Sequence, residues 1–311
     1  MFLHESEDFG LLVAIASSER HIRAGFVGKD YWVTHTLWAL QESGLEVWFK
    51  GGTSLSKGWD IVQRFSEDLD LKIEPGTKDL PPVPGWKSER MQAVRNRAAY
   101  FAALSLAIEV PGATTTLDLV EVDRVWRSAG IHVGYPGRFL HELAPTVRPY
   151  VLLEAGNARV TPFIRRDMTS FVHAVVAASG QAGAFVDNRP RGVRCVHPLV
   201  TLLEKLDAIS RRFPREDLDA ASFVRHYEDA AHIIRSGGTL PPLVGYPSVR
   251  SLADELVAEK QLRALPSGAD PAFALPSGTR VEELRRAHEA IGGMFWGARV
   301  DLSTAAGESW R

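Results

Sequence analysis

The 311-residue sequence has very few side chains that could cross-link it or bind soft metals, because Cys195 is its one cysteine. A single cysteine excludes a disulfide framework and a cysteine-rich zinc site, and it is compatible with a reducing cytoplasm. Cys195 lies between valines in the run 193–196, so we interpret it as a small strand residue and not as a nucleophile.

The sequence also lacks the features that direct a chain to a membrane. No apolar run approaches the roughly 20 residues that a membrane-spanning helix needs. The first eight residues include Glu5, Glu7 and Asp8 and have no Lys or Arg, so no secretory signal peptide is expected. We therefore predict a cytoplasmic protein with no membrane partner.

A large net charge is absent as well: 36 Lys and Arg stand against 38 Asp and Glu, which gives a net charge of −2. Such a chain has no overall field that attracts nucleic acid, so an RNA partner would need a local basic patch. Arginines do cluster in three places, and we interpret each cluster either as a solvated face or as part of an RNA-binding surface. The clusters are Arg165 with Arg166; Arg189, Arg191 and Arg194; and Arg211, Arg212 and Arg215.

Hydrophobic spacing predicts an α/β part followed by a helical part. The predicted strands of the first part cover residues 46–50, 68–73, 114–122, 130–135 and 148–154. Its predicted helices cover residues 7–19, 28–42, 54–61, 86–108 and 170–178, and those of the second part cover 199–212, 220–234, 248–263 and 281–290. A loop-like passage at 180–192 places the boundary, which gives domains of residues 1–190 and 191–311.

A glycine-rich turn follows the first predicted strand. Gly51 and Gly52 let backbone N–H groups approach a ligand closely, and Thr53 and Ser54 add hydroxyls at the start of a helix. This combination is typical of a phosphate-binding turn. It is not a Walker A loop, because the Lys-Ser/Thr pair that must follow the last glycine is absent.

Two carboxylates lie on the next predicted strand. Asp68 and Asp70 are two residues apart, so they project from one face while Leu69 and Leu71 face the core. Two carboxylates on one rigid face are able to hold Mg²⁺ beside a triphosphate. Alone, the turn and the acidic strand each have an ordinary structural explanation, and their order along the chain is what indicates a function.

In that order, the two features resemble the nucleotidyltransferase superfamily of DNA polymerase beta type, with its Gly-Gly/Ser turn, helix and Asp-x-Asp strand. Three stretches resemble more specifically the AbiEii-type toxin nucleotidyltransferases of bacterial abortive-infection and toxin–antitoxin systems. They are Lys-Asp-Tyr-Trp-Val at 29–33, Phe-Lys-Gly-Gly-Thr-Ser-Leu-Ser-Lys at 49–57 and Gln-Arg-Phe-Ser-Glu-Asp-Leu-Asp-Leu at 63–71. The resemblance implies an α/β (α+β) fold: a mixed β-sheet with flanking helices, then a helical C-terminal domain that completes the cleft.

The resemblance also implies which residues form the site. Asp68 and Asp70 would bind Mg²⁺, or Mn²⁺, together with a third carboxylate. We take Glu154 for the third, because it ends a predicted apolar strand and its Leu-Leu-Glu context resembles the family; Asp118 and Glu121 are the alternatives. The NTP would be bound by the turn and its neighbours: Lys50, Gly51, Gly52, Thr53, Ser54 and Ser66.

Two helical stretches of the second part extend the resemblance. In Leu-Leu-Glu-Lys-Leu at 202–206, Lys205 would contact the nucleotide phosphates, although the helix alone is also compatible with a surface lysine. In Arg-His-Tyr-Glu-Asp at 225–229, Asp229 would orient Lys205 or the nucleotide; a local pair with Arg225 is the alternative. Two histidines, His197 and His226, have no second metal ligand at a recognisable spacing, so we interpret them as structural.

The function implied is that of a toxin that transfers NMP from an NTP to the acceptor end of tRNA and so stops translation. The alternatives are transfer to a small molecule, as in aminoglycoside-modifying relatives, or to a protein hydroxyl, and a nucleotide-binding regulator without turnover. A cognate antitoxin is a further implied partner. It would act indirectly or by modifying Ser66, since a phosphate two residues before Asp68 would repel the incoming triphosphate.

Overall fold

The computed structural model describes residues 1–66, 68–143, 147–264, 267 and 269–310. The chain forms two units. The first comprises residues 1–58, 66–160 and 164–195, and the second comprises residues 59–65, 161–163 and 196–311.

A mixed seven-stranded sheet organises the first unit, with strand order β3-β4-β5-β2-β1-β7-β6. β1 pairs with β2 in antiparallel and with β7 in parallel orientation, β2 is parallel to β5, and β3, β4 and β5 are antiparallel neighbours. The strands are β1 (Val47–Lys50), β2 (Asp68–Ile73), β3 (Thr114–Val122), β4 (Ser128–Gly134), β5 (Val151–Gly156), β6 (Phe163–Arg166) and β7 (Val193–Val196).

The helices of the first unit pack around the sheet, and α1, α2 and α5 contact one another. They are α1 (Phe9–Arg20), α2 (Ala24–Glu42), α3 (Gly51–Thr53), which continues as a π-helical turn (Ser54–Gly58), α4 (Met91–Ala107) and α5 (Phe171–Ala178). Short 3-10 turns are formed at Leu3–Glu5, Leu140–Glu142 and Ala182–Ala184.

The two faces of the sheet differ in chemistry because side chains alternate along each strand. Along β2 the burial alternates residue by residue, with Leu69 and Leu71 buried and Asp68 and Asp70 partly exposed. The core of this unit therefore lies on the leucine side, and the carboxylates lie on the other side.

Helices form the second unit, and α7 contacts α6, α10 and α11. The helices are α6 (Pro198–Arg212), α7 (Ala220–Arg235), α8 (Val249–Ala258), α9 (Pro271–Ala274), α10 (Thr279–Ala290) and α11 (Leu302–Trp310), with 3-10 turns at Gly237–Thr239 and Ile291–Met294. In the part of the chain that the structure describes, no helix is long and apolar enough to cross a membrane.

The predicted fold class is confirmed: a mixed sheet with flanking helices precedes a helical part. The predicted helix over 54–61 is wrong at both ends, since the helical segment begins at Gly51 and ends at Gly58. Residues 59–65 belong to the second unit, and Asp60 has a left-handed φ of 53° that a continuing helix does not allow.

Two other predicted helices are too long. The one over 86–108 begins only at Met91, because Arg97 donates hydrogen bonds to carbonyls of the preceding turn, those of Gly85, Trp86 and Ser88. The one over 248–263 ends at Ala258, where Lys260 takes a left-handed φ of 58° and closes the helix.

Candidate active site

Three charged residues lie side by side on neighbouring strands of the first unit. Lys50 is the register partner of Asp70 in the β1–β2 pair, and Asp70 is the partner of Glu154 in the β2–β5 pair. Directly opposed residues project from the same face of a sheet, and Asp68, two residues before Asp70, shares that face. The sheet therefore brings the three predicted carboxylates to one surface.

A pocket of about 410 Å³ lies along this row of residues. Its lining includes Lys50, Asp70 and Glu154, together with Arg127 and Asn157. Glu154 does not end its strand, as the sequence suggested, because β5 continues to Gly156. It is exposed all the same, since it lies on the polar face between two buried neighbours, Leu153 and Ala155.

Gly51 gives the Asp70 carboxylate its place beside the turn. Its φ of 73° lies in the left-handed region, and a Cβ atom at this position would overlap the carboxylate of Asp70. Only glycine combines this backbone conformation with so close an approach. The turn and the acidic strand are thus one local structure.

The hydroxyl groups of the turn are buried. Thr53 is 3% exposed, and its Oγ1 donates a hydrogen bond of 2.6 Å to the backbone carbonyl of Asp68. Ser54 is 2% exposed and lies close to Cys195, whose pKa burial raises to about 12. Thr53 thus links the turn to β2, and Cys195 is held as a thiol, as its interpretation as a strand residue requires.

Arg148 is a neighbour of the predicted carboxylates that sequence reasoning missed. Its Nη1 lies 2.9 Å from Oδ1 of Asp68, and both side chains are partly exposed. The one available signal was its position just before the strand that carries Glu154. Lys29, from the predicted motif at 29–33, donates a hydrogen bond of 2.8 Å to the backbone carbonyl of Arg148.

The carboxylate oxygens of Asp68, Asp70 and Glu154 are of the type that Mg²⁺ prefers as ligands, and the three residues share one face of the sheet. Within the described residues, no three His, Cys, Asp or Glu side chains are grouped as a formed metal site. Of the alternatives, Asp118 lies on β3 with its Oδ2 2.9 Å from Nε2 of His132. The side chain of Glu121 lies outside the described part of the structure.

The second unit contains the two helical residues that were predicted for the site. Asp229 on α7 is completely buried, and Lys205 on α6 is 9% exposed. Nζ of Lys205 lies 2.7 Å from Oδ2 of Asp229. The other charged partner of Asp229 is Arg64, which donates two hydrogen bonds of 2.8 and 2.7 Å to the carboxylate. The sequence had offered Arg225 for this partner.

The electrostatics of Asp229 follow from these contacts. Burial by itself would raise the pKa of its carboxyl, but the charges and hydrogen bonds of Arg64 and Lys205 outweigh burial and lower the pKa well below its usual range. Asp229 is therefore held as a carboxylate and is unsuited to accept a proton.

The histidines are structural, as interpreted from the sequence. His197 caps α6 by accepting a hydrogen bond from the backbone N–H of Leu199, and its Nε2 lies 3.0 Å from the carbonyl of Pro241. For His226, burial and the charge of Lys205 lower the pKa well below its usual value.

A family model described as the nucleotidyl transferase AbiEii toxin of a type IV toxin–antitoxin system matches residues 36–295. The chain belongs to this AbiEii family. Every site residue predicted above lies within the matched range of the AbiEii protein. No curated protein and no solved structure matches it.

Family membership identifies the AbiEii protein as a nucleotidyltransferase toxin of a type IV toxin–antitoxin system. The nucleotidyltransferase superfamily was predicted from the Gly-Gly turn and the Asp-x-Asp strand, and the AbiEii family from three longer stretches. The match thus confirms the resemblance stated on the sequence. It also implies a cognate antitoxin and a nucleotide substrate.

Proposed function

We propose that the protein transfers NMP from an NTP to the 3′-terminal hydroxyl of tRNA, in a Mg²⁺-dependent reaction that blocks translation. The observation that carries the proposal is the register of β1, β2 and β5, which puts Lys50, Asp70 and Glu154 side by side on a polar sheet face beside the Gly51 turn. Carboxylates on neighbouring strands next to a phosphate-binding turn suit phosphoryl chemistry.

In the proposed reaction the acceptor oxygen attacks the α-phosphorus of the NTP. A bond forms between that oxygen and phosphorus, the bond from phosphorus to the β-phosphate oxygen breaks, and pyrophosphate leaves. Asp68, Asp70 and Glu154 would hold Mg²⁺, which when bound neutralises charge on the phosphates. The acceptor proton would pass to a carboxylate of this row, and exposed Glu154 is the best placed to receive it.

The residues of the turn would bind the triphosphate. Lys50 supplies a cation beside Asp70, and the backbone around Gly51 and Gly52 supplies N–H donors. We assign Thr53 a positioning role, because its hydroxyl already donates to the carbonyl of Asp68. Ser54, whose side chain is buried, would also contribute to binding the triphosphate.

Replacing Asp68 tests the proposal directly. We expect Asp68→Ala to abolish both NMP transfer and growth inhibition in cells that express the toxin, because the row loses one of its three carboxylates. Asp254→Asn is the matched control, since Asp254 is an exposed residue of α8 in the second unit that pairs with Arg250. Growth inhibition that survives unchanged in Asp68→Ala would contradict the enzymatic proposal.

We also propose that the antitoxin silences the protein through Ser66. Ser66 is partly exposed and lies two residues before Asp68, the first residue of β2. The residue between them lies outside the described part of the structure. A phosphate there would add about two negative charges near the Asp68 end of the strand and repel an incoming triphosphate. In the transfer assay, Ser66→Asp should lose most activity while Ser66→Ala keeps it, and full activity of Ser66→Asp would argue against this mode.

A further inference from the structure

Arg64 is held in the second unit by backbone hydrogen bonds on both sides. The N–H of Phe65 donates to the carbonyl of Met294 at 2.9 Å, and the N–H of Trp296 donates to the carbonyl of Gln63 at 3.0 Å. Arg64 itself forms a bridge with Phe295. These contacts fix the backbone from which the Arg64 side chain extends.

The side chain of Arg64 is directed at Asp229 with full two-pronged geometry. Nε donates to Oδ1 at 2.8 Å and Nη2 donates to Oδ2 at 2.7 Å. The exposed fractions of the two side chains are 3% and 0%. A buried, bidentate guanidinium–carboxylate pair of this kind is strong and directional, and a lysine cannot reproduce it.

Lys205 approaches the same oxygen that Nη2 of Arg64 binds, with Nζ 2.7 Å from Oδ2 of Asp229. One carboxylate thus faces two cations. A buried charge needs an opposite charge nearby, and Arg64 alone already supplies one for Asp229. The three side chains together then carry one net positive charge, which is available to a further partner. Asp229 still fixes the direction in which the ammonium group of Lys205 points.

The charged groups next to Arg64, Lys205 and Asp229 do not change the net charge of these three residues. Glu228 precedes Asp229 on α7, but its carboxylate pairs with Arg299 at 3.0 Å and lies 3.2 Å from His288. His226 is kept neutral, since burial and Lys205 lower its pKa. Burial likewise lowers the pKa of His232.

We infer that Arg64 is a positioning residue that cancels the charge of Asp229, so that Lys205 keeps its positive charge for an anionic ligand of the phosphate class. The inference rests on the proposed function and on the role predicted for Lys205 from the sequence, which is contact with the nucleotide phosphates. Arg64 itself does not touch the ligand. The sequence motif at 63–71 and the predicted role of Lys205 do not assign this positioning role to Arg64.

The test uses inorganic triphosphate and the full-length chain without divalent metal, with binding measured by titration calorimetry. Arg64→Gln should weaken binding about tenfold or more, because Asp229 then neutralises Lys205. The double variant Arg64→Gln with Asp229→Asn should recover most of the affinity, since Lys205 is again an uncancelled cation. Lys205→Gln should lose binding in every background.

A purely structural role for Arg64 predicts no recovery of triphosphate affinity in the double variant. It would make the double variant bind no better than Arg64→Gln, and that result would overturn the inference. Arg64→Gln leaves Lys205 and Asp229 as an ion pair, whereas the double variant leaves the ammonium of Lys205 without its carboxylate. Urea unfolding is therefore recorded for each variant, and where a Gln variant fails to fold the test is made with Arg64→Lys, which keeps a cation beside Asp229. Arg64→Lys keeps the charge but loses the two-pronged geometry, so it should bind triphosphate more tightly than Arg64→Gln and more weakly than the unmodified chain.

Transfer kinetics separate positioning from binding. In the double variant we expect the KM for NTP to recover and kcat to remain low, because Asp229 no longer directs Lys205. Asp68→Asn tells the two proposals apart: it should abolish transfer while triphosphate binding persists. Retained transfer in Asp68→Asn would overturn the proposed function alone, whereas unchanged triphosphate binding by Arg64→Gln would overturn the role of Arg64 alone.

Discussion

Gly51 is the residue at which the turn and the carboxylate strand depend on each other most closely. Its left-handed φ of 73° carries a conformational cost for any other residue, and a Cβ atom would also overlap the Asp70 carboxylate. Gly180 has nearly the same φ, 72°, with no atom within 4 Å of a Cβ atom built there. The two glycines therefore separate backbone strain from displacement of Asp70.

We predict that Gly180→Ala costs roughly 1–2 kcal/mol of folding free energy and leaves transfer unchanged. Gly51→Ala should cost more and should abolish transfer, because Asp70 must move. Urea unfolding and the transfer assay measure the two effects. Equal behaviour of both variants in the transfer assay would mean that Gly51 has no role beyond its backbone conformation.

At this scale the sequence makes the acidic residues stand out but does not show which cations lie beside them. Asp68 and Asp70 stand out because a strand alternates every two residues. Arg148 and Arg64 do not, because their partners are far away along the chain and are brought next to them only by the tertiary fold. Asp229 illustrates this point: the sequence offers Arg225 four residues away on the same helix, and the structure uses Arg64.

Among the elements, α2 and α5 share a buried polar network with the chain around Asn188. Asn188 lies 2.8 Å from Nδ1 of His35 on α2 and from Nε2 of His173 on α5, and it donates to the hydroxyl of Tyr31 at 3.0 Å. His35 completes the network at the carbonyl of Pro111, 2.9 Å away. Because Nδ2 of Asn188 is a donor, Nδ1 of His35 must accept, and this requires a neutral imidazole at His35.

Burial lowers the pKa of both His35 and His173 from 6.5 to about 4. Below pH 6.5 these histidines bind protons in the unfolded chain but stay neutral in the folded chain. Their contribution to the free energy of unfolding is therefore fully present above pH 6.5 and decreases as the pH falls towards 4. The loss should be on the order of 3 kcal/mol for each histidine by pH 4.

Urea unfolding between pH 7.5 and 5 measures this slope. Replacing both histidines by Gln should flatten the slope even though the variant is less stable overall, while His21→Gln, at an exposed position, should leave it unchanged. A slope that is identical in the double variant would show that other groups set the pH dependence.

Element prediction succeeded where the pattern was long and regular. The strands over 68–73 and 114–122 were predicted with their observed bounds. The interpretation of Cys195 in the run 193–196 as a strand residue is confirmed by β7. β6 was missed because a strand of four residues is too short for an alternation to be visible, and α11 was missed because its run gave no clear helical stripe. The helix after the glycine turn ended early because residues 59–65 belong to the second unit.

On the scale of the whole molecule, the near-zero net charge leaves RNA binding to local surfaces. Several clustered arginines have acidic partners: Arg189 with Asp187, Arg191 with Asp167, Arg194 with Glu46, Arg211 with Asp207 and Arg215 with Asp217. The phosphates of an acceptor RNA would compete with these carboxylates for the arginines. Because contacts between arginine and phosphate release counterions, the affinity for RNA should fall as the salt concentration rises. The hydrophobic pattern could not predict that two short segments, 59–65 and 161–163, belong to the same unit as the C-terminal helices. Their place in that unit depends on hydrogen bonds between residues far apart along the chain.

The central claim is transfer of NMP to a tRNA end by the Asp68–Asp70–Glu154 row. The most direct measurement incubates the protein with each α-labelled NTP and, separately, with fractionated tRNA, total protein and an aminoglycoside, with Asp68→Asn in parallel. We predict label at the 3′ end of tRNA, dependent on Mg²⁺ and absent with Asp68→Asn. Label on protein or aminoglycoside but not on tRNA, or equal labelling by Asp68→Asn, would contradict the claim.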